Sequence, residues 1–421
     1  MKSRVEKFHL YELNKRQSWM RNFANLTEEE LSLYQNFGSV GEELSDQLIE
    51  NTVGVLEIPL GLGMNFIVNG NEVVVPMAVE ESSVVAAASH GAKLTRKMGG
   101  FKTTVDESVM FSQIQVVNCK DPFGAMYRVL EQKEEVLKLA NDQDPTLVNL
   151  GGGAFEIEAR VIGQKENKML ILHLLVNTLD AMGANAVNTM AEKVSPLIEQ
   201  ITGGEVYLRI ISNFADKRIA RARCTIHKDD IGGEEVVDRI LMAYEFASID
   251  PYRAATHNKG IMNGISSVIL ATGNDTRAIE AGAHVYASRN GQYTALTKWE
   301  KNCDGHLVGT LELPLAVGII GGATALHPKA KTNLKIMNVK TARELSEITV
   351  SVGLAQNLTA LKALATDGVQ KGHMKLHAKN IAIMAGASSA QVDFVAKELV
   401  SQGKVRLDFA KEVLSKINET K

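Results

Sequence analysis

The chain reads as an α+β protein: a discontinuous large mixed α/β domain, a small ferredoxin-like domain inserted in it, and a C-terminal helical appendage. Three observations predict this. A strand-helix-strand-strand-helix-strand order runs from about Met110 to Ala215, the order of a split βαβ unit. The flanking segments Val53 to Gly63 and Val308 to Gly318 agree at seven of eleven positions. They are either a chance recurrence of simple apolar strands or a duplicated strand and turn, neighbours in one domain, with the material between them partly an insertion. From about Gly372 the pattern is amphipathic helix. The expected boundaries are residues 1–109 and 216–371 for the large domain, 110–215 for the small one and 372–421 for the appendage.

The elements follow in order. Glu72 to Ala78 reads as a strand and Ser82 to Ser89 as a small-residue helix. In the small unit, Ser112 to Val117 is a strand and Gly124 to Asn141 a helix, followed by strands Phe155 to Ile162 and Met169 to Val176. A helix from Met182 to Ile201 and a strand from Glu205 to Ser212 complete it. Val236 to Ala247, Gly260 to Gly273 and Thr341 to Ala365 are further helices, and Ser388 to Ile417 holds two more, split at Gly403. The appendage is core cladding or a lid.

Composition narrows the class. With 421 residues, 45% hydrophobic and 23% charged, the chain is long enough for two or three units with a large core. Its 46 basic and 49 acidic residues are spread evenly, so no nucleic-acid footprint is expected. Cys119, Cys224 and Cys303 are far apart, which fits a reducing cytoplasm. Met1 to Arg21 has no continuous apolar run, so no secretion signal is expected. Glu312, Pro314 and glycines interrupt the apolar stretch His306 to Leu326, which reads as buried strand and turn rather than a membrane span.

At Asp180-Ala181-Met182-Gly183-Ala184-Asn185 a strand passes into a helix. Backbone N–H groups at that positive helix end suit an anion such as a dinucleotide pyrophosphate. The pattern G-x-G-x-x-G is absent, so any such cofactor is held by a non-Rossmann fold.

Glu80 and Glu81 at their strand-helix junction are solvated or capping carboxylates, or, if one is buried, a general acid with a raised pKa. Ser83 is a helix cap or a donor to substrate. From Asp250 to Gly264 the chain concentrates Arg253, His257, Lys259 and Asn263 among small residues and reads as a loop. It is a basic surface loop, or one in which Arg253 clamps a carboxylate and Lys259 faces a carbonyl that becomes an oxyanion. Asp275 caps the next helix, or orients Lys259 and modulates Glu81. His373 and His377 share a face if helical, but Met374 stands where H-E-x-x-H needs Glu, so no metal is expected. A proton-donating imidazole competes with a structural role there.

Taken together, these segments resemble class II 3-hydroxy-3-methylglutaryl-coenzyme A reductase, the soluble bacterial form, over nearly the whole chain. The markers are Glu50 to Gly54, Glu80-Glu81-Ser82-Ser83, Asp180 to Asn185, His257-Asn258-Lys259-Gly260, Gly273-Asn274-Asp275 and Gly372-His373-Met374. Ser82 departs from the proline of many relatives. The resemblance implies a catalytic set of Glu81, Lys259, Asp275 and His373. It implies substrate contacts from Ser83, Arg253, Asn263 and Asn213, and a nicotinamide site of Asp180, Met182, Gly183, Ala184, Asn185 and Asn188. NADPH is favoured over NADH, with no metal.

The implied reaction takes HMG-CoA through a hemithioacetal and mevaldehyde to mevalonate and coenzyme A with two hydrides, for isoprenoid synthesis. The alternatives are the same enzyme run oxidatively and a non-catalytic coenzyme A-binding homologue. Lys259 would hold the oxyanion with Asp275 fixing its geometry, His373 would protonate the departing thiolate, and Glu81, desolvated and neutral, would protonate the mevaldehyde oxygen. The tail becomes a mobile flap based at His373. The resemblance also implies a cytoplasmic homodimer, or dimer-based oligomer, with active sites at the subunit interface.

Overall fold

The computed structural model describes residues 7–164, 167–366 and 369–419, with 9, 369–376 and 418–419 as backbone only. Its strands, in chain order, are β1 (Leu60–Val68), β2 (Asn71–Ala78), β3 (Phe101–Val105), β4 (Val109–Val117) and β5 (Gly153–Ile162). They continue with β6 (Met169–Asn177), β7 (Glu205–Ile211), β8 (Ile219–Ile226), β9 (Thr297–Lys301) and β10 (Leu307–Pro314). Two sheets result. One has six strands in the order β2-β1-β3-β8-β10-β9, and the other has four in the order β5-β6-β4-β7.

The four-stranded sheet is antiparallel throughout, with the unit's first and third strands at its centre. That is the ferredoxin-like arrangement expected from the element order. Period-two patterning builds it: Leu170, Leu172, Leu174 and Val176 of β6 are buried on one face. The Ala184–Thr202 helix contributes Val187, Met190, Val194 and Ile198 to the same core. Each such side chain, fully buried, contributes about 1.5–3 kcal/mol. The single helix expected from Gly124 to Asn141 is two, Pro122–Glu131 and Lys133–Asn141, meeting at Gln132.

The six-stranded sheet packs against long helices, of which Ala342–Ala365 is the most buried. It opens on a capping box in which the Thr341 side chain accepts from Glu344 N–H and the Glu344 side chain accepts from Thr341 N–H. It is long and apolar enough to cross a membrane, but 67% of that stretch is buried inside the fold. The Val84–Thr95 helix crosses it at Gly91, where a Cβ would lie 2.1 Å from the Ala355 carbonyl oxygen. The Pro251–Ala271 helix meets it at Gly264, whose Cβ would lie 3.0 Å from that of Gln356. Three C-terminal helices, Val369–Met384, Ser389–Ser401 and Leu407–Glu419, close on a separate core that includes Ala382, Val395, Leu399 and Leu414.

Two expectations are corrected. The matching segments are not a repeated element: residues 53–59 form no regular structure, whereas Val308 to Pro314 lie in β10. Nor are they neighbours, since β3 and β8 separate β1 from β10. The supposed loop from Asp250 to Gly264 is the first two-thirds of the Pro251–Ala271 helix. Asp250 caps it by accepting from Tyr252 N–H at 2.9 Å, and Pro251 takes the first turn, where its missing N–H costs nothing.

Candidate active site

The helical state of residues 251–271 decides the local geometry. Lys259 and Asn263, four apart, share a face. Both point to Glu81, whose Oε2 accepts from Lys259 Nζ at 2.7 Å and from Asn263 Nδ2 at 3.5 Å. The side chains of Lys259 and Glu81 are 61% and 40% exposed. A desolvated Glu81 is therefore not what the structure presents. Next to it Ser83 sits at φ +75°, in the left-handed region that costs a non-glycine residue on the order of 1–3 kcal/mol. Ser83 occupies the cap position of the Val84–Thr95 helix, yet its side chain makes no capping bond.

Arg253 is half-buried, burial pulls its pKa down, and it has no carboxylate partner among the described residues. One turn further along, His257 is buried. Its Nε2 lies 2.6 Å from the Thr297 hydroxyl and 3.2 Å from Asn357 Nδ2. Burial, with the Arg253 charge adding to it, drives this imidazole down to about 3. His257 is neutral scaffolding.

Asp275 is committed elsewhere than to Lys259. It caps the Thr276–Ala287 helix by accepting from Arg277 N–H at 2.9 Å and Ala278 N–H at 3.2 Å, and it pairs with Arg277 Nη2 at 2.9 Å. The expected contact in which Asp275 orients Lys259 is not made. His373 lies on the Val369–Met384 helix, but its side chain falls outside the described residues. No group of three or more metal-ligating side chains occurs among the described residues.

A cleft of about 1030 Å³ runs between the two sheets' units. Met182, Gly183, Ala184 and Asn185 line it, as do Asp275 and Gly321, whereas Glu81 and Lys259 do not. Gly183 has φ +99°, and a Cβ there would sit 2.3 Å from Thr178 Cγ2, so only glycine fits. It precedes the 19-residue Ala184–Thr202 helix without a side-chain cap. The first N–H groups of that helix thus have no side-chain cap, and such an end could hold the pyrophosphate of a dinucleotide.

Two residues expected around the cofactor are engaged in the scaffold. The Asp180 carboxylate accepts from Ala342 N–H at 2.8 Å, and Asn188 Oδ1 accepts from Ile211 N–H at 2.8 Å. Asn213 is exposed just after β7. Sequence reasoning missed Arg218, which is 1% exposed. It donates to Thr178 Oγ1 at 3.3 Å, to the Ala181 carbonyl at 3.1 Å and to the Val317 carbonyl at 2.6 Å. Burial lowers it to about 10, with Asp180 opposing the shift, so it stays charged. A lone arginine in a mixed segment carries no sequence signal of burial.

A ferredoxin-like unit that offers a bare helix end to a large cleft, in a fold that also pairs an exposed lysine with a glutamate, is the equipment of a nicotinamide-dependent oxidoreductase outside the Rossmann class. Comparison with known proteins makes this specific. Residues 12–378 match the family model for hydroxymethylglutaryl-coenzyme A reductase. The chain is 54% identical over 417 residues to 3-hydroxy-3-methylglutaryl-coenzyme A reductase of Archaeoglobus fulgidus, covering 99% of this chain and 95% of that one. It is 36% identical over 430 residues to a probable reductase of Borreliella burgdorferi, covering 98% and 96%. Among solved structures it resembles the class II enzyme of Streptococcus pneumoniae bound to NADPH in open conformations. That match has a TM-score of 0.77 and 39% identity, covering 97% of this chain and 100% of the other. The chain belongs to the hydroxymethylglutaryl-coenzyme A reductase family, whose members are NAD(P)H-dependent oxidoreductases acting on HMG-CoA.

Proposed function

We propose that the Glu81–Lys259–Asn263 cluster is the site of thioester and aldehyde reduction, completed by Asp275 and His373. The observation that carries this reading is the meeting of Lys259 and Asn263 at Glu81 Oε2. A cation that is 61% exposed, paired with one carboxylate, can turn to a carbonyl oxygen. Lys259 then holds the oxyanion that develops as the thioester is reduced. Arg253, half-buried with no carboxylate partner among the described residues, clamps the substrate's free carboxylate. Ser83, whose hydroxyl makes no capping bond, donates to substrate together with Asn263 and Asn213.

The nicotinamide dinucleotide lies on the wall formed by Met182 to Asn185, with Asp180 and Asn188 supporting that wall. When bound, it supplies the hydride for each reduction. We favour NADPH over NADH, in line with the NADPH-bound structure from Streptococcus pneumoniae. His373 protonates the departing thiolate: a thiol pKa near ~8.5 makes transfer from an imidazolium near ~6.5 favourable at neutral pH. Glu81 supplies the proton to the mevaldehyde oxygen. The desolvation this requires comes from bound substrate and from the C-terminal helices covering the site as a flap.

We assign residues 1–109 and 216–371 to the substrate domain, 110–215 to the cofactor domain and 372–421 to the flap. The working unit is a homodimer with active sites at its interface. A row of exposed apolar side chains, Leu56, Ile58, Leu60, Leu62 and Met64, supports this as a surface for a second copy. Three free cysteines suit the cytoplasm.

Purified protein supplied with HMG-CoA and either NADPH or NADH should consume two cofactor equivalents per mevalonate, faster with NADPH. An absence of thioester-dependent oxidation with both cofactors would sink the reading. Faster turnover with NADH would overturn only the cofactor preference.

A further inference from the structure

Three consecutive residues after β10 are each tied to a different part of the fold. The Val317 carbonyl accepts from the buried Arg218 guanidinium at 2.6 Å. The Gly318 N–H donates to Asn274 Oδ1 at 2.8 Å. The Ile319 N–H donates to the Asp180 carbonyl at 2.9 Å, and Ile320 then pairs with Ala181 in an isolated parallel bridge. Arg218 grips both sides of this seam, because it also donates to the Ala181 carbonyl at 3.1 Å.

Gly318 is wedged at the centre. A Cβ there would lie 2.5 Å from the Met182 backbone nitrogen, so the segment presses directly on the start of the cofactor wall. Its side-chain partner, Asn274, is the residue before Asp275. Asn274 has little freedom to rotate: its Nδ2 donates to Thr272 Oγ1 at 3.1 Å, and its backbone N–H donates to the Ile269 carbonyl at 3.0 Å. Thr272 is fully buried and hydrogen-bonded within its own helix. With both ends of the amide engaged, the Asn274 oxygen is aimed at Gly318 and nowhere else.

We propose that Asn274 is a positioning residue: through Gly318 it sets the distance between Asp275 and the Met182 to Asn185 wall of the cleft. The proposal rests on the reading that puts the cofactor on that wall and Asp275 in the catalytic set. Nothing else in the 273–275 turn reaches the cofactor segment through a side chain among the described residues. Loss of the Asn274 acceptor leaves the Gly318 N–H without its partner and lets the turn drift from the wall. A shift of this kind, on the order of 1 Å, costs up to ~100-fold in rate.

The test is steady-state kinetics, with separate KM values for cofactor and HMG-CoA, and thermal unfolding, on Asn274→Ala, Asn274→Asp and Asp275→Asn. Asn274→Ala should lower kcat by about tenfold or more and raise the cofactor KM while the HMG-CoA KM stays put. Asn274→Asp loses only the Nδ2 donor to Thr272 and keeps an oxygen for the Gly318 N–H, so it should recover most of the lost turnover. The proposal is overturned if Asn274→Ala turns over like the parent, or if Asn274→Asp is as impaired as Asn274→Ala. Both KM values rising together with a lowered Tm would also overturn it, since that is the mark of general loosening. Asp275→Asn separates the two layers. Parent-like turnover in that variant removes Asp275 from the catalytic set, whereas an inactive Asp275→Asn beside an unaffected Asn274→Ala removes only the positioning role.

Discussion

The corner that holds Lys259 and the corner that holds Arg218 treat positive charge in opposite ways. Lys259 is largely exposed, with one carboxylate and no second anchor among the described residues. Arg218 is almost wholly buried, and its bonds go to neutral oxygens, two of them backbone carbonyls of separate segments. An exposed Lys–Glu pair contributes little to stability and is free to exchange partners. A buried guanidinium spread over three acceptors contributes to the fold and is poorly placed to meet a substrate. The difference teaches how this chain separates work from support: the charge proposed to meet substrate is left weakly held, and the charge that fixes the seam is satisfied internally.

Substitutions in the two corners should therefore diverge. The largest expected effect is on turnover: Lys259→Met should lower kcat by about 10²–10³, as for loss of an oxyanion donor, with Tm nearly unchanged. A Tm drop matching that of an Arg218 variant would erase the contrast. Next comes Arg218→Met, which strands the Ala181 and Val317 carbonyls and should cost about 2–4 kcal/mol in urea unfolding. If that variant unfolds like the parent, the seam does not depend on the guanidinium.

The smallest effect concerns His257, which is scaffold in the same helix as Lys259. Folded, its imidazole stays neutral down to about 3, whereas in the unfolded chain it protonates near ~6.5. The unfolded state takes the proton first. Its stabilising contribution is thus complete above about pH 6.5 and is lost as pH falls toward 3, with a slope on the order of 1 kcal/mol per pH unit. His257→Gln should flatten the decline in urea midpoint between about pH 7 and pH 5. An unchanged slope would mean that another group governs it.

Much of the fold was legible because its signals are local. The alternation in β6 and the four-residue spacing of the Ala184–Thr202 helix mark their own faces, and their order alone yields the small sheet. Gly260, Gly264 and the asparagines argued for a loop in the 251–271 region and lost. Packing on the Ala342–Ala365 helix at Gly264 and the Asp250–Pro251 start outweigh the low propensity of those residues. The two look-alike segments show the converse, since residues 53–59 form no strand whereas their counterparts 308–314 do, where β8 and β9 flank them. For the site, the residue types were readable and their partners were not. Lys259 was paired in expectation with Asp275 and is found with Glu81, because Asp275 spends its oxygens on its own helix. The seam held by Arg218 and Asn274 joins residues about a hundred and about forty apart from segment 317–318, and local patterning carries no record of such contacts.

Gly91 and Gly264 give the Glu81–Lys259 pair a common ruler. Glu81 enters the helix that rests on Ala342–Ala365 through Gly91, and Lys259 rides the helix that rests on the same body through Gly264. The separation of Glu81 and Lys259 is thus gauged by two missing methyl groups on one shared surface. A single carbon added at either point would be felt, some distance away, as a change in the span between those two side chains.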